Sequence, residues 1–160
     1  MIFIPFNTPS SKNSKIATKN GVFHSKTVKR YLTDLGIMGF NPAKREVKFY
    51  KKKSCLFPTM DLKEMFSYAK PDEPIVIGFH FVRGTKHKFD FHNMCQIILD
   101  LLIAFDVIED DDMDHVIPMP LKYDGRWYSV DKENPGVWVT IMNPKEMLPD
   151  KFLPKFFGVN

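Results

Sequence analysis

Apolar residues recur along the chain with two periods, and those periods divide it into elements. Residues 2–6 (IFIPF) are a short apolar run that predicts a first strand. Residues 7–20 are rich in Asn, Ser, Thr and Lys and read as a flexible basic loop. Val28, Tyr31, Leu32 and Leu35 fall at i, i+3, i+4 and i+7, the spacing of one helical face. Ser25 suits the N-cap of that helix and Gly36 its exit. Residues 43–53 (AKREVKFYKKK) alternate loosely and carry six cations, which predicts a basic edge strand. Residues 61–69 predict a short helix that ends near Pro71.

The second half is more strongly patterned. Residues 74–81 (PIVIGFHF) are β-branched and aromatic and predict a strand feeding a basic loop at 83–88. Met94, Ile97, Ile98, Leu101, Leu102 and Phe105 make the apolar face of a helix over 93–105. An acidic loop, 109–114, follows. Residues 115–123 predict a strand that Pro118 and Pro120 confine to an edge. Asp124-Gly125 is a type I′ hairpin signal, with a returning strand over 126–130. Asn134-Pro135-Gly136 turns the chain into a last strand over 137–141. At 160 residues the chain suits one domain, read as 1–148. Residues 149–160 form an apolar, Pro-interrupted tail that either packs on the domain or docks on a partner.

Composition changes this picture in three places. No run of about 18 apolar residues exists, so no membrane span is expected. The start lacks a signal-peptide pattern, and a cytosolic location is the default. Cys55 and Cys95 have neither metal nor redox spacing and read as reduced, structural cysteines. The net charge of +4 hides an asymmetry: residues 1–53 hold 12 Lys/Arg against Asp34 and Glu46, and the remainder is acidic. A basic half beside an acidic half fits a polyanion partner and a site that needs carboxylates. Ordinary solvated faces would give the same composition.

Candidate chemistry concentrates in residues 88–118. Asp90 and His92 are two apart at the end of an expected strand, so they share a face while Phe89 and Phe91 turn to the core. Asn93 is placed to cap the following helix. Asn93, Gln96 and Asp100 then form a polar stripe opposite the apolar face. Glu109, Asp110, Asp111 and Asp112 repel one another unless a cation or basic partner is present. Mg²⁺ takes oxygen ligands, often from one or two carboxylates, and leaves the rest to water and phosphate.

The segment D-F-H-N-M-C-Q-I-I-L-D-L-L, residues 90–102, resembles the pattern D-x-D-N-x-x-K-x-x-x-D-x-L of the RusA-type Holliday junction resolvases. In that family an acid pair follows, as Asp110-Asp111 does here. IPFNTPSSKN, GVFHSKTVKRYLTD and PIVIGFHFVRGTKHK extend a weaker likeness over most of residues 1–118. The resemblance implies an α/β (α+β) fold, a small mixed sheet with helices packed on it, in a homodimer. It implies a Mg²⁺- or Mn²⁺-dependent endonuclease that resolves branched double-stranded DNA, and it fits a phage or prophage source.

By the same likeness Asp90, Asp111 and Asp110 correspond to the metal site, and Asn93, Gln96 and Asp100 surround it. Two positions depart from the pattern: His92 stands for an Asp and Gln96 for a Lys. Imidazole is a poor Mg²⁺ ligand but suits softer metals, and His92 is also a candidate general base or phosphate donor. Losing the Lys removes a cation, for which Lys86, His87 or Lys88 could substitute. Lys12, Lys15, Lys29, Arg30, Lys51, Lys52, Lys53, Arg83, Lys86 and Lys88 are the candidate phosphate contacts. Phe6, Phe23 and Tyr31 are wedge candidates for a branch point, with core packing the expected role of each. A catalytically weakened relative that binds or assembles on DNA is the alternative function. A third reading makes the acidic loop a protein-docking surface.

Overall fold

The computed structural model describes residues 1–10, 15–18, 21–69 and 73–142, with 15–18 and 21–24 described as backbone. The tail expected at 149–160 lies outside the described residues, as does Lys12.

Strand β6 (Ile75–Arg83) is the centre of the fold, and residues 76–81 are buried without a break. Such a run belongs to a strand covered on both sides. It pairs antiparallel with β9 (Gly136–Ile141), which in turn pairs antiparallel with β1 (Ile2–Pro5). On its other side β6 pairs parallel with β7 (Val116–Pro120) and, further along, with β8 (Tyr128–Val130). The sheet is mixed, and the described residues form three α-helices beside it, in agreement with the expected α+β class. Pro118 and Pro120 sit on β7 at its edge, where a missing N–H costs no ladder bond.

Helix α3 (Phe91–Ala104) forms the crossover from β6 to parallel β7. Its apolar residues extend beyond the one face the periodicity marks. Cys95, Leu99, Ile103 and Ala104 are buried as well, so most of its circumference faces protein. Helix α1 (Lys26–Asp34) starts where Ser25 Oγ accepts the Val28 N–H at 3.3 Å and buries Val28, Tyr31 and Leu32. Gly36 follows with φ +81°, and a Cβ there would lie 2.2 Å from the Ser54 carbonyl oxygen. A side chain at this position would be doubly unfavourable. Helix α2 (Thr59–Phe66) buries Leu62 and Phe66. Side chains from all three helices and the sheet meet in one apolar core. Tyr31 is part of it, which takes that wedge candidate out of reach of DNA. Phe6 packs half-buried against the same core, and the Phe23 side chain lies outside the description.

Several expectations need correction. Residues 15–18, expected as loop, are strand β2 (Lys15–Thr18), paired antiparallel with β3 (Gly21–His24). The register places Thr18 opposite Gly21. The basic strand β5 (Glu46–Phe49) pairs with β4 (Ile37–Asn41), whose pattern is masked by Gly39 and a register shift. A 3₁₀ turn, Pro42–Lys44, joins them.

Two further corrections bear on the site. Strand β6 ends at Arg83, so strand alternation does not govern Asp90 and His92. Helix α3 begins two residues earlier than expected, with Asp90 rather than Asn93 as its N-cap. The Asp124-Gly125 turn has the expected positive φ values of 46° and 71°. Tyr123 and Arg126 exchange backbone bonds across it at 2.9 Å. The strand after it does not return along β7, however. It resumes the same direction, parallel to β6, because β6 outlasts β7 and leaves residues 81–83 to be paired. The hairpin is thus an excursion from an edge.

Candidate functional site

The β6–α3–β7 crossover positions the candidate residues. Asp90 Oδ1 accepts the Asn93 N–H at 3.3 Å, which satisfies one of the free donors at the start of α3. An anionic cap is also favoured there by the helix dipole. Its charge reaches into the protein: burial pushes the Cys95 thiol up, and the Asp90 carboxylate adds to that shift. Cys95 and Cys55 are both free thiols, as expected.

Of α3's residues beyond the first turn, Gln96 is exposed and Asp100 half-exposed, in a helix otherwise buried. The acidic loop folds back to meet this stripe. Gln96 Nε2 donates to Asp100 Oδ1 at 3.3 Å and to Asp111 Oδ2 at 2.8 Å. Those two bonds laid end to end limit the carboxylate oxygens to a separation of about 6.1 Å. The stripe expected from spacing therefore joins Asp111 through one amide. Asp110 is committed differently, its Oδ1 accepting the Asp111 N–H at 2.8 Å. Asp90 lies six residues before Gln96, about 9 Å of helix rise. The side chains that meet are Gln96, Asp100 and Asp111.

Arg45 holds this loop, a role the sequence pattern did not reveal. Its guanidinium pairs with Asp106 and donates to the Glu109 carbonyl at 2.8 Å. At the far end Asp112 Oδ1 accepts from the His115 ring at 2.7 Å. That bond holds the Asp112 carboxyl below the ordinary range and raises the His115 imidazole above its own.

His92 is separated from this cluster in role. It is exposed, lies against the Phe91 ring at 5.6 Å, and borders a cavity of about 590 Å³. The cavity is lined by Lys88, Phe89, Phe91, His92, Pro120, Trp127 and Tyr128. Phe89 meets Tyr128 edge to face at 5.2 Å. The hairpin excursion that carries Trp127 and Tyr128 is fastened to β6 by His80, which is 1% exposed. His80 Nδ1 lies 3.0 Å from the Leu121 carbonyl oxygen, and Nε2 lies 2.9 Å from Ser129 Oγ. With Nδ1–H donating to the carbonyl, Nε2 accepts the Ser129 hydroxyl proton. Trp127 and Tyr128 were not anticipated. Two adjacent aromatics just after a hairpin turn were the available signal.

The candidate phosphate contacts divide. Lys29, Arg30, Lys51, Lys52, Lys86 and Lys88 are exposed. The turn carrying Lys51–Lys53 is stitched to α1 by Tyr50 Oη and Thr33 Oγ1 at 3.2 Å, which sets Lys51 and Lys52 beside that helix. Lys53 donates to the Thr33 carbonyl, where a cation suits a helix C-terminus. Arg83 faces inward: it donates to the Thr8 carbonyl at 3.0 Å and lies 5.1 Å over the Phe89 ring. Burial lowers its pKa. The side chain of Lys15 is outside the description.

Among the described residues, no three His, Cys, Asp or Glu side chains gather as a metal-binding group. Mg²⁺ often takes only one or two carboxylates from protein, and Asp100 and Asp111, which share the Gln96 amide, are oxygen donors of that kind. None of the described helices is long and apolar enough to cross a membrane. Comparison with models of known protein families gives no match, and comparison with curated proteins gives none either.

Proposed function

We propose that the chain is a metal-dependent, structure-selective endodeoxyribonuclease acting on branched DNA. The observation that carries this reading is the bridge from Gln96 to both Asp100 and Asp111. Two carboxylates about 6 Å apart or less, with a neutral amide between them, form a place where a cation is favoured. The same positions belong to the resolvase-like motif, in which the residue at 96 is itself a cation.

In this reading Asp111 and Asp100 would hold Mg²⁺ or Mn²⁺, with Asp110 fixing the loop through its bond to the Asp111 N–H. When bound, the cation supplies Lewis-acid polarisation of a phosphodiester and a more acidic water. Asp90 orders the start of α3 and, with His92 beside it, faces the strand to be cut. His92 is exposed and free to hydrogen-bond a phosphate or accept a proton. Lys29, Arg30, Lys51, Lys52, Lys86 and Lys88 position the DNA backbone without reading sequence. A homodimer would present two such sites to a four-way junction.

The absence of the motif's cation at Gln96 favours a second reading, a DNA-binding or assembly protein that does not cut. One experiment separates the two. A labelled four-way junction is incubated with the protein in Mg²⁺ and in Mn²⁺, beside Asp111→Asn. The nuclease reading expects paired nicks that need metal and fall about 100-fold or more in the variant, with junction binding retained. Cutting by Asp111→Asn at the original rate would remove Asp111 from the site. Tight binding with no nicks in either metal would select the second reading.

A further inference from the structure

The aromatic rings of the cavity, Phe89, Phe91, Trp127 and Tyr128, have no role in the chemistry above. We infer that the cavity receives one unpaired nucleobase of the bound strand, stacked against Trp127 and Tyr128, with Lys88 on the adjoining phosphate. This rests on the reading of the chain as a nucleic-acid enzyme.

The walls argue for a flat, apolar guest. Four of the seven lining residues, Phe89, Phe91, Trp127 and Tyr128, present aromatic rings. Trp127 is 59% exposed and Tyr128 41%, although a tryptophan in a folded domain is usually well covered. At about 590 Å³ the space lies within the range of small-ligand sites. A paired base inside a duplex presents its faces to its neighbours, so a base that enters has left the stack.

The charge argues for an anionic guest. The lining holds two basic residues, Lys88 and His92, and no carboxylate is among them. Asp90, between two lining residues in the chain, is engaged in the α3 cap. Lys122 lies 5.6 Å over the Trp127 ring, which places a cation beside the stacking surface. Basic groups around aromatic faces are how single strands are held without sequence readout. The cavity also adjoins the start of α3, the helix that carries Gln96 and Asp100.

The test uses the full chain in EDTA, which separates it from cleavage. Trp138, packed on Phe3 at 4.9 Å, is the other tryptophan, so Trp138→Phe leaves Trp127 as the reporter. A single-stranded octanucleotide should quench Trp127 on titration. Read by the anisotropy of end-labelled strands, which needs no tryptophan, the same octamer made abasic should bind about tenfold more weakly, and Trp127→Ala should weaken the intact octamer by a similar factor. Circular dichroism of Trp127→Ala checks that this exposed position leaves the fold unchanged. Equal binding of intact and abasic strands would overturn the inference. So would superimposed curves for the parent and Trp127→Ala, the result expected if a protein partner covers these rings instead. Quenching without junction cleavage would sink the nuclease reading alone, and cleavage without quenching would sink this inference alone.

Discussion

The acidic loop at 109–114 and the edge excursion at 121–130 flank the same strand, β7, and are held by different physics. The loop is fastened by half-exposed polar contacts: Arg45 to Asp106 and Glu109, Gln96 to Asp111, Asp112 to His115. The excursion is fastened by a buried histidine bonded at both ring nitrogens. Exposed ionic contacts are weak and salt-sensitive, and they yield to a competing cation. A buried, fully paired polar group is costly to disturb and fixes one geometry. On the proposed reading, a metal site has to exchange its internal partners for an ion, whereas a stacking surface has to be rigid before its guest arrives, and the two fastenings would suit those two tasks.

Breaking the buried fastening should have the larger effect. His80→Ala removes both ring contacts and leaves Ser129 Oγ and the Leu121 carbonyl short of partners. The expected cost is about 3 kcal/mol of folding stability, read from urea denaturation. Trp127 emission should shift as the excursion loosens, while the Gln96–Asp111 contact is untouched. A change below about 0.5 kcal/mol would mean that the bonds to His80 do not anchor the edge.

The fastening of the loop should be cheaper to break. Arg45→Ala should cost about 1 kcal/mol or less, since its side chain is 39% exposed and that of Asp106 64%. The loss should shrink in about 1 M salt, where screening acts over roughly 3 Å. On the proposed nuclease reading, cleavage should suffer more than stability, because the loop carries Asp111. A variant as stable as the parent in high salt but still poorly active would separate positioning from folding. Unchanged cleavage at low salt would show that Arg45 does not place the loop.

The two regions also differ in how legible they were in the sequence. The β6 and α3 segments were evident because long apolar runs and helical spacing are local signals. Even the stripe of Gln96 and Asp100 followed from spacing, and the structure adds Asp111 to it. The α3 start was misplaced because Asp90 and Asn93 both make good N-caps and the choice depends on where the chain leaves β6. Arg45, His80, Trp127 and Tyr128 were missed for a shared reason. Their roles come from contacts across 41 to 64 residues in the first two cases, and from an edge strand that resumes its direction in the last two. No local period encodes such contacts. Arg83, a candidate phosphate contact, shows the same limit: its contacts with Thr8 and Phe89 have no signal in the local sequence.

The smallest expected effect belongs to His115, and it sharpens the contrast by pH. The bond to the Asp112 carboxylate raises the imidazole, opposed by desolvation and aided by the charges of Asp112, Glu109 and Asp110. A raised folded value means that His115 contributes its stabilisation fully below the unfolded value of about 6.5. That contribution is lost as pH rises through the folded value. Asp112 runs the other way: its depressed value contributes above about 3.9 and is lost as pH falls through the folded value. The pair therefore steadies the loop most between about pH 4 and 6.5. In metal-free protein, NMR titration of the His115 ring should give a value above 6.5, and Asp112→Asn should return it toward about 6.5. A ring that titrates at or below 6.5 with Asp112 intact would mean that the contact does not persist in solution. The end of the loop nearest β7 would then be held by its backbone turn, and the acidic loop would be looser still beside the His80-anchored edge.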